Sequence, residues 1–332
     1  MIICRTPYRI SFFGGGTDYP IYYREHTGTV LATSINKYCY ITCRNLPPFF
    51  EHRNRIVYSK IEYTQNISEI QHPAVRECLR YMDITTGVEI HHDGDLPARA
   101  GLGTSSSFTV CLLNALYALK GKRTTKRQLA LDAIHVEQDM IKENVGSQDQ
   151  VTAAFGGFNK IEFDKEHEFQ VQPITITAEK RQLLHDNMML FFTGFSRTAS
   201  EVAKEQIKKT PEKKPELKKM TEMVDEAIDI LHGSDSNLTD FGRLLHKTWM
   251  IKRNLTNKIT TETIDTIYEA AMGAGALGGK LLGAGGGGFM LFFVEPEKQQ
   301  KVKEKLKNLL YVPFKFDNLG SQIIYYTAEE WK

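Results

Sequence analysis

One segment of the sequence, LPARAGLGTSSS at residues 96–107, has residue types that suit phosphate binding. Gly101 and Gly103 let the backbone approach an anion closely, and the helix predicted after them offers free N–H groups and the positive end of its dipole. Ser105 and Ser106 add hydroxyl groups that can donate hydrogen bonds or bind a metal ion. The alternative is an ordinary strand-to-helix turn with serine caps. We favour a phosphate site, which is not of the Walker type because Gly-x-x-x-x-Gly-Lys-Ser/Thr is absent.

A second glycine-rich segment, KLLGAGGGGF at residues 280–289, lies between a predicted helix and an apolar run. Four consecutive glycines lose much conformational entropy on folding, and flexible linkers rarely have such apolar flanks. We therefore interpret the segment as a loop whose backbone contacts a ligand, with Gly285 and Gly286 as candidate contacts.

A third segment, PYRISFFGGGTD at residues 7–18, is a predicted strand followed by a glycine-rich turn. It carries Arg9, Thr17 and Asp18. Taken alone, Asp18 is as readily a turn residue as a ligand.

The elements that must position these segments alternate between strands and helices. The pattern predicts strands at residues 9–13, 29–43 (one or two strands), 87–91 and 289–294. Helices are expected over residues 105–119, 126–143, 220–231, 238–249 and 264–272. Residues 204–219 hold seven lysines and three glutamates, and we interpret them as a solvated helix end and loop. Whether this stretch closes over a ligand is left open.

The chain has 332 residues, with 42 basic and 40 acidic side chains and a formal net charge of +2. Typical domains hold about 100–200 residues, which predicts two domains or one large one. The balanced charge disfavours nucleic-acid and membrane partners. We also find no secretion signal, no apolar run near ~20 residues and no disulfide-type pattern among the five cysteines. These features predict a reduced, cytoplasmic protein.

The three glycine-rich segments, in this order, closely resemble the signature motifs of the GHMP small-molecule kinases, which include galactokinase, homoserine kinase, mevalonate kinase and phosphomevalonate kinase. The resemblance implies an α/β (α+β) fold, with a ribosomal S5 domain 2-like domain at residues 1–178 and a ferredoxin-like domain at residues 179–332. It also implies that ATP lies along the glycine-serine loop. The expected phosphate contacts are Ala100, Gly101, Leu102, Gly103, Thr104, Ser105 and Ser106.

The same resemblance implies the catalytic groups. Gly-Ser-Gln-Asp at residues 146–149 looks like the Gly-x-x-Asp motif that carries the base of some family members. Asp149 would then accept, or orient, the proton of the acceptor hydroxyl. Arg9 matches the arginine of the galactokinase-like Pro-x-Arg motif and would hold this carboxylate ionised. A solvated aspartate and a structural ion pair are the alternatives.

Glu137 resembles the magnesium-ligating glutamate of the family, and Ser105 is the best match for its serine partner. Mg²⁺ prefers few protein ligands together with phosphate oxygens and water, so one carboxylate and one hydroxyl suffice. The neighbouring His135, Asp139 and Glu143 are interpreted as solvated residues of a helix face.

The acceptor is implied by the form of the first motif. Galactokinases typically show Gly-Glu-His-Thr-Asp where this chain has GGGTD, so galactokinase activity is in doubt. FGGGTD, together with FTGFSR at 192–197 and KRNLTNKI at 252–259, resembles the branch that phosphorylates the anomeric hydroxyl of D-glycero-D-manno-heptose 7-phosphate. The expected sugar contacts are Gly15, Gly16, Thr17, Asp18, Arg197, Gly285 and Gly286. The candidate cations for the sugar's own phosphate are Arg197, Lys252, Arg253 and Arg99.

We therefore expect an ATP- and Mg²⁺-dependent sugar-1-kinase, of α preference, that makes heptose 1,7-bisphosphate for nucleotide-activated heptose and surface polysaccharide. Its partners would be a sugar phosphate and ATP, and the protein would be a monomer or a homodimer. The alternatives are the same reaction on another sugar, such as fucose, unphosphorylated heptose or galactose, and a non-catalytic sugar sensor built on the same fold.

Overall fold

The computed structural model describes residues 1–98, 100–166, 168–194, 199–234 and 238–328. Within them the chain forms two sheets, each packed against helices, which confirms the predicted α+β class. Strands and helices are numbered below in chain order.

The first sheet contains the first strands of the chain and also the last ones that the structure describes. Its members are β1 (Ile2–Phe13), β2 (Gly28–Asn45), β3 (Asn54–Val57), β4 (Ile61–Thr64), β5 (Val88–Gly94), β6 (Phe158–Phe163), β7 (Phe169–Pro173), β12 (Phe316–Asp317) and β13 (Gln322–Tyr326). The main path runs β13-β1-β2-β5-β3-β4, while β6 and β12 pair with β2, and β7 pairs with β6. β2 is a single strand of 18 residues. The sequence pattern left open whether residues 29–43 form one strand or two.

Within the described residues, five α-helices and a π-helical turn lie between β1 and β6 along the chain. They are α1 (Pro20–Tyr23), α2 (Pro73–Tyr81), α3 (Thr104–Leu119), α4 (Lys126–His135), a π-helical turn (Val136–Met140) and α5 (Gln148–Phe155). The long apolar side of α3 packs on β1 and β2, where Val110, Leu112 and Leu113 are fully buried. This burial places the beginning of α3 beside β1. The predicted helix over residues 126–143 is present as α4 and the π-helical turn.

The second sheet has the order β11-β8-β10-β9. Its region comprises α6 (Ala178–Asp186), β8 (Met188–Gly194), α7 (Ala199–Lys209), a 3₁₀ turn (Thr210–Glu212), α8 (Lys214–His232), α9 (Thr239–Lys252), α10 (Glu262–Ala274), β9 (Gly278–Leu281), β10 (Gly288–Phe293), α11 (Pro296–Lys305) and β11 (Leu310–Tyr311). β10 is buried along its whole length, as its apolar sequence predicts.

Residues 204–219 differ from the expected solvated helix end and loop, because they lie mostly within α7 and α8. Val202, Gln206 and Thr210 recur at helical spacing and are buried, as is Leu217 on the next helix. The sequence hides this buried period because Gln206 and Thr210 are polar and lysines lie between them. One side of the segment therefore packs onto the protein.

The cysteines agree with the expectation, because all five are buried and free of disulfides. Among the described residues, no helix is long and apolar enough to cross a membrane. The predicted division at residues 178 and 179 falls at the beginning of α6, while β12 and β13 pair with strands of the first sheet. The domain boundary stays a prediction.

Candidate active site

A cavity of about 390 Å³ opens where parts of the three glycine-rich segments meet. β1 and the turn after it form one wall, the beginning of α3 forms another, and α5 with its preceding loop forms a third. α7, the end of α9, and β9 with the loop after it close the remaining side. The lining residues are Arg9, Ser11, Gly15, Gly16, Asp18, Tyr19, Gly101, Gly103, Thr104, Ser105, Ser106, Glu143, Asn144, Val145, Gly146, Gln148, Asp149, Ser200, Ala203, Gln206, Lys252, Lys280, Gly283 and Ala284.

Arg9 and Asp149 form a bidentate ion pair inside this cavity. Arg9 Nε donates to Asp149 Oδ1 at 2.7 Å, and Nη2 donates to Oδ2 at 2.9 Å. The arginine is 4% exposed, whereas the aspartate side chain retains 24% of its surface. The third guanidinium nitrogen, Nη1, donates to the carbonyl of Gly101 at 2.8 Å. One buried side chain thus joins β1, α5 and the glycine-serine loop, and leaves a carboxylate open to the cavity.

The glycine-serine loop ends in the uncapped first turn of α3. Gly101 and Gly103 have φ angles of +82° and +71°, a left-handed conformation that favours glycine. Gly103 precedes α3 and provides no side-chain cap, so the cavity meets the positive end of the helix dipole. Five of the seven predicted contacts line the cavity: Gly101, Gly103, Thr104, Ser105 and Ser106. Ala100 and Leu102 instead lie fully buried behind the loop.

Glu137 lies behind the same turn, on the π-helical segment. Its Oε2 accepts a hydrogen bond from Ser106 Oγ at 2.8 Å and another from Gln150 Nε2. Its Oε1 is buried without a hydrogen-bond partner in the described part of the chain. Burial raises the pKa of Glu137 to about 7. The serine that contacts Glu137 is Ser106 rather than the expected Ser105, because the helical turn directs Ser106 inward and leaves Ser105 exposed.

Asp18 lies in the turn after β1 and is 3% exposed. Its Oδ1 accepts from the backbone N–H of Gly16 at 2.9 Å, and its Oδ2 accepts from that of Gln148 at 3.4 Å. Burial raises the pKa of this carboxyl group above its usual value, and the backbone N–H of Gly16 partly offsets that effect. Two backbone N–H groups therefore fix the Asp18 carboxyl group at the wall of the cavity, close to the beginning of α5.

Two lysines reach the cavity from the second sheet and its helices. Lys252, the last residue of α9, donates to the carbonyl of Gly283 at 2.6 Å. Lys280 on β9 donates to the carbonyls of Ser11 and Phe12, both at 2.8 Å. Burial lowers the pKa of Lys252 to about 8 and lowers that of Lys280 well below its usual value. These lysines and Arg9 give the cavity three basic side chains, which share it with the carboxyl groups of Asp18 and Asp149.

Several predicted sugar contacts are not brought to the cavity. Thr17 is buried, and its hydroxyl donates to the carbonyl of Gly14 at 2.8 Å, so it holds the turn together. Gly285 packs against Ile259, and the N–H of Gly286 donates to the carbonyl of Ile259. The structure therefore gives these three residues a role in loop packing.

Of the four candidate cations for the phosphate of the sugar, one lines the cavity and one is paired elsewhere. Lys252 lines the cavity, whereas Arg253 forms an ion pair with Asp265 at 2.7 Å. Arg99 and Arg197 lie outside the described residues.

Sequence reasoning missed Lys280, Gln148 and Glu143 as cavity residues. Lys280 had one available signal, a lone lysine in the apolar strand reading GGKLL, which predicts a buried ammonium group with partners. Glu143 had been grouped with His135 and Asp139, and these two form an exposed pair as expected. No signal distinguished Glu143, because its position depends on the irregular chain after the π-helical turn.

Comparison with known proteins agrees with this geometry. The family model for the GHMP kinases N terminal domain matches residues 69–157, and the model for GHMP kinases C terminal matches residues 230–312. Together they cover just over half of the chain. The first match contains the glycine-serine loop, Glu137 and Asp149, and the second contains Lys252 and Lys280.

Individual relatives are similar over most of the chain. A D-glycero-alpha-D-manno-heptose 7-phosphate kinase of Campylobacter jejuni is 28% identical over 318 residues, or 91% of this chain and 92% of that protein. An L-fucokinase/L-fucose-1-P guanylyltransferase of Bacteroides fragilis is 26% identical over 242 residues, or 71% of this chain and 25% of that protein. The crystal structure of a D-glycero-D-manno-heptose 1-phosphate kinase from Bacteroides thetaiotaomicron matches with a TM-score of 0.74 and 25% identity, covering 99% of this chain and 100% of that one.

Proposed function

This chain belongs to the GHMP kinase family and is an ATP-dependent phosphotransferase, and on that premise we propose that it phosphorylates the anomeric hydroxyl of D-glycero-D-manno-heptose 7-phosphate, in the α configuration. The product would be the 1,7-bisphosphate. The observation that carries the phosphoryl transfer is the Arg9–Asp149 pair, which faces the first turn of α3 across one cavity.

In this proposal, Asp149 accepts or orients the proton of the acceptor hydroxyl while the γ-phosphoryl group arrives. The carboxylate keeps surface open to the cavity, whereas Arg9 holds both of its oxygens. The guanidinium orients the base by donating to both of its oxygens. The first turn of α3 binds the phosphates of ATP through backbone N–H groups and the hydroxyls of Ser105 and Ser106.

The residues around Glu137 fit a magnesium ion. A carboxylate oxygen that is buried without a hydrogen-bond partner suits a cation, and Ser106 adds a hydroxyl beside it. Glu137, with Ser106 and Ser105, would hold the ion. When bound with ATP, magnesium supplies charge neutralisation at the phosphate oxygens.

Lys252 acts, in this proposal, at the transferring phosphoryl group. This buried lysine lines the same cavity as Arg9 and Asp149, where its ammonium group donates to the Gly283 carbonyl. The 7-phosphate is at the far end of the sugar from the anomeric hydroxyl, which separates it from Asp149. Arg99 and Arg197 therefore remain the candidates for binding the 7-phosphate.

The choice of heptose phosphate depends on the FGGGTD motif and on the likeness to the two heptose phosphate kinases. Asp18, Gly15 and Gly16 bind the sugar hydroxyls, since all three line the cavity. Fucose is the second candidate acceptor, because the bifunctional fucokinase is also similar over 71% of this chain.

The test is ADP release from Mg-ATP with heptose 7-phosphate, unphosphorylated heptose, mannose, fucose and galactose. We expect strong turnover with the 7-phosphate alone, and its loss in Asp149→Asn. The matched control is Asp139→Asn, which makes the same change at an exposed carboxylate and should keep wild-type turnover. Charge reversal of Arg197 or Arg99 should raise KM for the sugar phosphate far more than KM for ATP.

Turnover with fucose or another free sugar would keep the kinase reaction but contradict the heptose phosphate assignment. Full activity of Asp149→Asn would contradict the role of the base. No turnover with any of these sugars would contradict the proposed acceptor class.

A further inference from the structure

A second cavity, of about 440 Å³, lies at the opposite end of α5 from Asp149. Its apolar walls are Phe155, Phe158, Val171, Pro173, Ile174 and Ile176, which come from α5, β6, β7 and the chain leading to α6. Lys126, Asn159, Arg181 and Asn318 add polar groups. None of these residues lines the candidate active site.

Arg181 is the unusual group in this cavity. Its Nη2 is buried, and in the described part of the chain it has no hydrogen-bond partner. A buried donor without an acceptor is unfavourable, and more so when it is charged. Burial accordingly lowers the pKa of Arg181 below its usual value.

The acid that interacts electrostatically with Arg181 is already engaged elsewhere. Asp317 Oδ2 accepts a hydrogen bond from the Tyr38 hydroxyl at 3.0 Å, and Oδ1 accepts from the backbone N–H of Asn318 at 2.7 Å. The negative charge of Asp317 partly offsets the lowering of the Arg181 pKa by burial. It does not accept a hydrogen bond from the buried Nη2.

The rest of the polar lining favours negative charge as well. The last carbonyls of a helix normally repel anions. Here Lys126 Nζ donates to the carbonyl of Phe155, and Asn159 Nδ2 donates to that of Gly156, both at 2.7 Å. These two carbonyls at the C-terminal end of α5 thus already have donors, and Lys126 brings a second basic side chain to the cavity that Arg181 lines.

From these observations we propose that this cavity binds a small amphipathic anion: a phosphate or carboxylate group on Arg181, joined to an apolar body that packs against the phenylalanine, valine and isoleucine side chains. An inorganic ion would leave the apolar walls uncovered, and a neutral apolar molecule would leave Arg181 without an acceptor. The ligand must therefore combine both parts.

Phenyl phosphate is the probe for this site. Its binding would be measured by ligand-observed NMR and calorimetry, with the protein saturated with Mg-ADP so that the candidate active site is blocked. We expect saturable binding that is at least about tenfold tighter than that of inorganic phosphate or of phenol. Inorganic phosphate can contact Arg181 but not the apolar walls, and phenol can cover the walls but brings no anionic group to Arg181.

Arg181→Gln should weaken phenyl phosphate binding at least about tenfold. Arg243→Gln is the matched control, because Arg243 is exposed and paired with Asp240, and it should bind as the wild type does. Ile176→Trp provides a second variant, which fills the cavity from a half-buried position and should abolish binding while thermal unfolding stays unchanged.

Wild-type affinity in Arg181→Gln or in Ile176→Trp would overturn the proposal. So would the absence of saturable binding to the wild-type protein at millimolar phenyl phosphate, or equal affinity for inorganic phosphate. Binding of phenyl phosphate to the nucleotide-free protein that is lost on saturation with Mg-ADP would assign it to the candidate active site instead, and would also overturn the proposal.

Discussion

Both carboxylate oxygens of Asp149 accept hydrogen bonds from the single guanidinium of Arg9, whose remaining nitrogen donates to the Gly101 carbonyl. These two residues are 140 positions apart in the chain. The orientation of the proposed base therefore depends on the same side chain that holds the glycine-serine loop, so that a change in either partner reaches both the base and the phosphate site.

Arg9→Lys keeps the positive charge but removes the planar fork. A lysine reaches one carboxylate oxygen at a time and leaves the Gly101 carbonyl without its donor. We expect kcat to fall on the order of 10²-fold, since misplacement of about 1 Å has that effect. Steady-state kinetics with ADP detection measure the change.

Arg5→Lys is the control for this prediction. It makes the same substitution on the same strand, at an arginine that stacks over the Tyr38 ring away from the candidate active site. If Arg9→Lys retained wild-type kcat, the fork would have no part in orienting Asp149.

Glu137→Gln tests the magnesium proposal through stability. The glutamine oxygen can still accept from Ser106, and the substitution removes a buried acid whose pKa burial raises to about 7. Without metal, we expect the thermal midpoint to stay the same or rise. Saturating Mg²⁺ with an ATP analogue should stabilise the wild type considerably more than this variant, because the charged ligand is gone.

Asp139→Asn is the comparison here, since it neutralises an exposed carboxylate two residues along the same turn. Its magnesium-dependent stabilisation should equal that of the wild type. Equal stabilisation of Glu137→Gln and the wild type by magnesium would show that Glu137 does not hold the ion.

Lys252 predicts how the reaction depends on pH. Burial, assisted by Arg9, lowers the pKa of Lys252 to about 8, so the free enzyme loses this charge as the pH rises through that value. The proposed phosphoryl contact requires the charged form. We therefore expect kcat/KM to decrease on the alkaline side, with a midpoint near 8.

Lys252→Arg keeps its charge at all accessible pH values and should move this alkaline limb upward, whatever its effect on the maximum rate. Lys247→Arg, at an exposed position of α9, should leave the profile unchanged. A flat profile through pH 8 in the wild type would mean that the charge of Lys252 does not matter to the reaction.

Gly283→Ala tests the contact between two glycine-rich segments. A Cβ at Gly283 would lie 2.5 Å from the Cα of Gly101, and the φ of +77° already disfavours a side chain. We expect a loss of stability well above the ~1–2 kcal/mol that left-handed backbone alone costs an alanine, together with a higher KM for ATP. Urea unfolding and nucleotide titration measure the two effects.

Gly121→Ala separates strain from steric contact. Gly121 has a similar φ of +63°, but a Cβ there would meet nothing within 4 Å. It should lose only the ~1–2 kcal/mol of backbone strain and keep its affinity for ATP. Equal effects at the two glycines would contradict the close crossing of the two loops.

The sequence predicts backbone requirements better than it predicts the sites of individual side chains. Gly101, Gly103 and the Phe289 strand follow from local patterns, because turns, helix ends and buried strands each constrain nearby residues. The choice of Ser106 over Ser105 depends on the rotation of one helical turn against Glu137, which no local pattern encodes.

Long-range partners are the other part that the sequence does not provide. Lys280 binds carbonyls of Ser11 and Phe12, some 270 residues earlier, and only the assembled sheets bring these groups together. The inward-facing residues of α7 and the turn after it were hidden for a different reason, since Gln206 and Thr210 are polar and have lysines between them. Thr17 shows the opposite error, because a motif residue serves the turn instead of the cavity.

The pairing of β13 with β1 has a consequence for how the protein is made. β1, which carries Arg9, leaves the ribosome well before its partner strand Gln322–Tyr326, which emerges more than 300 residues later. During translation this edge of β1 stays without its neighbour, although β2 can already cover the other edge. Until Gln322–Tyr326 is synthesised, the nascent chain presents an unpaired strand edge to chaperones and to other nascent chains.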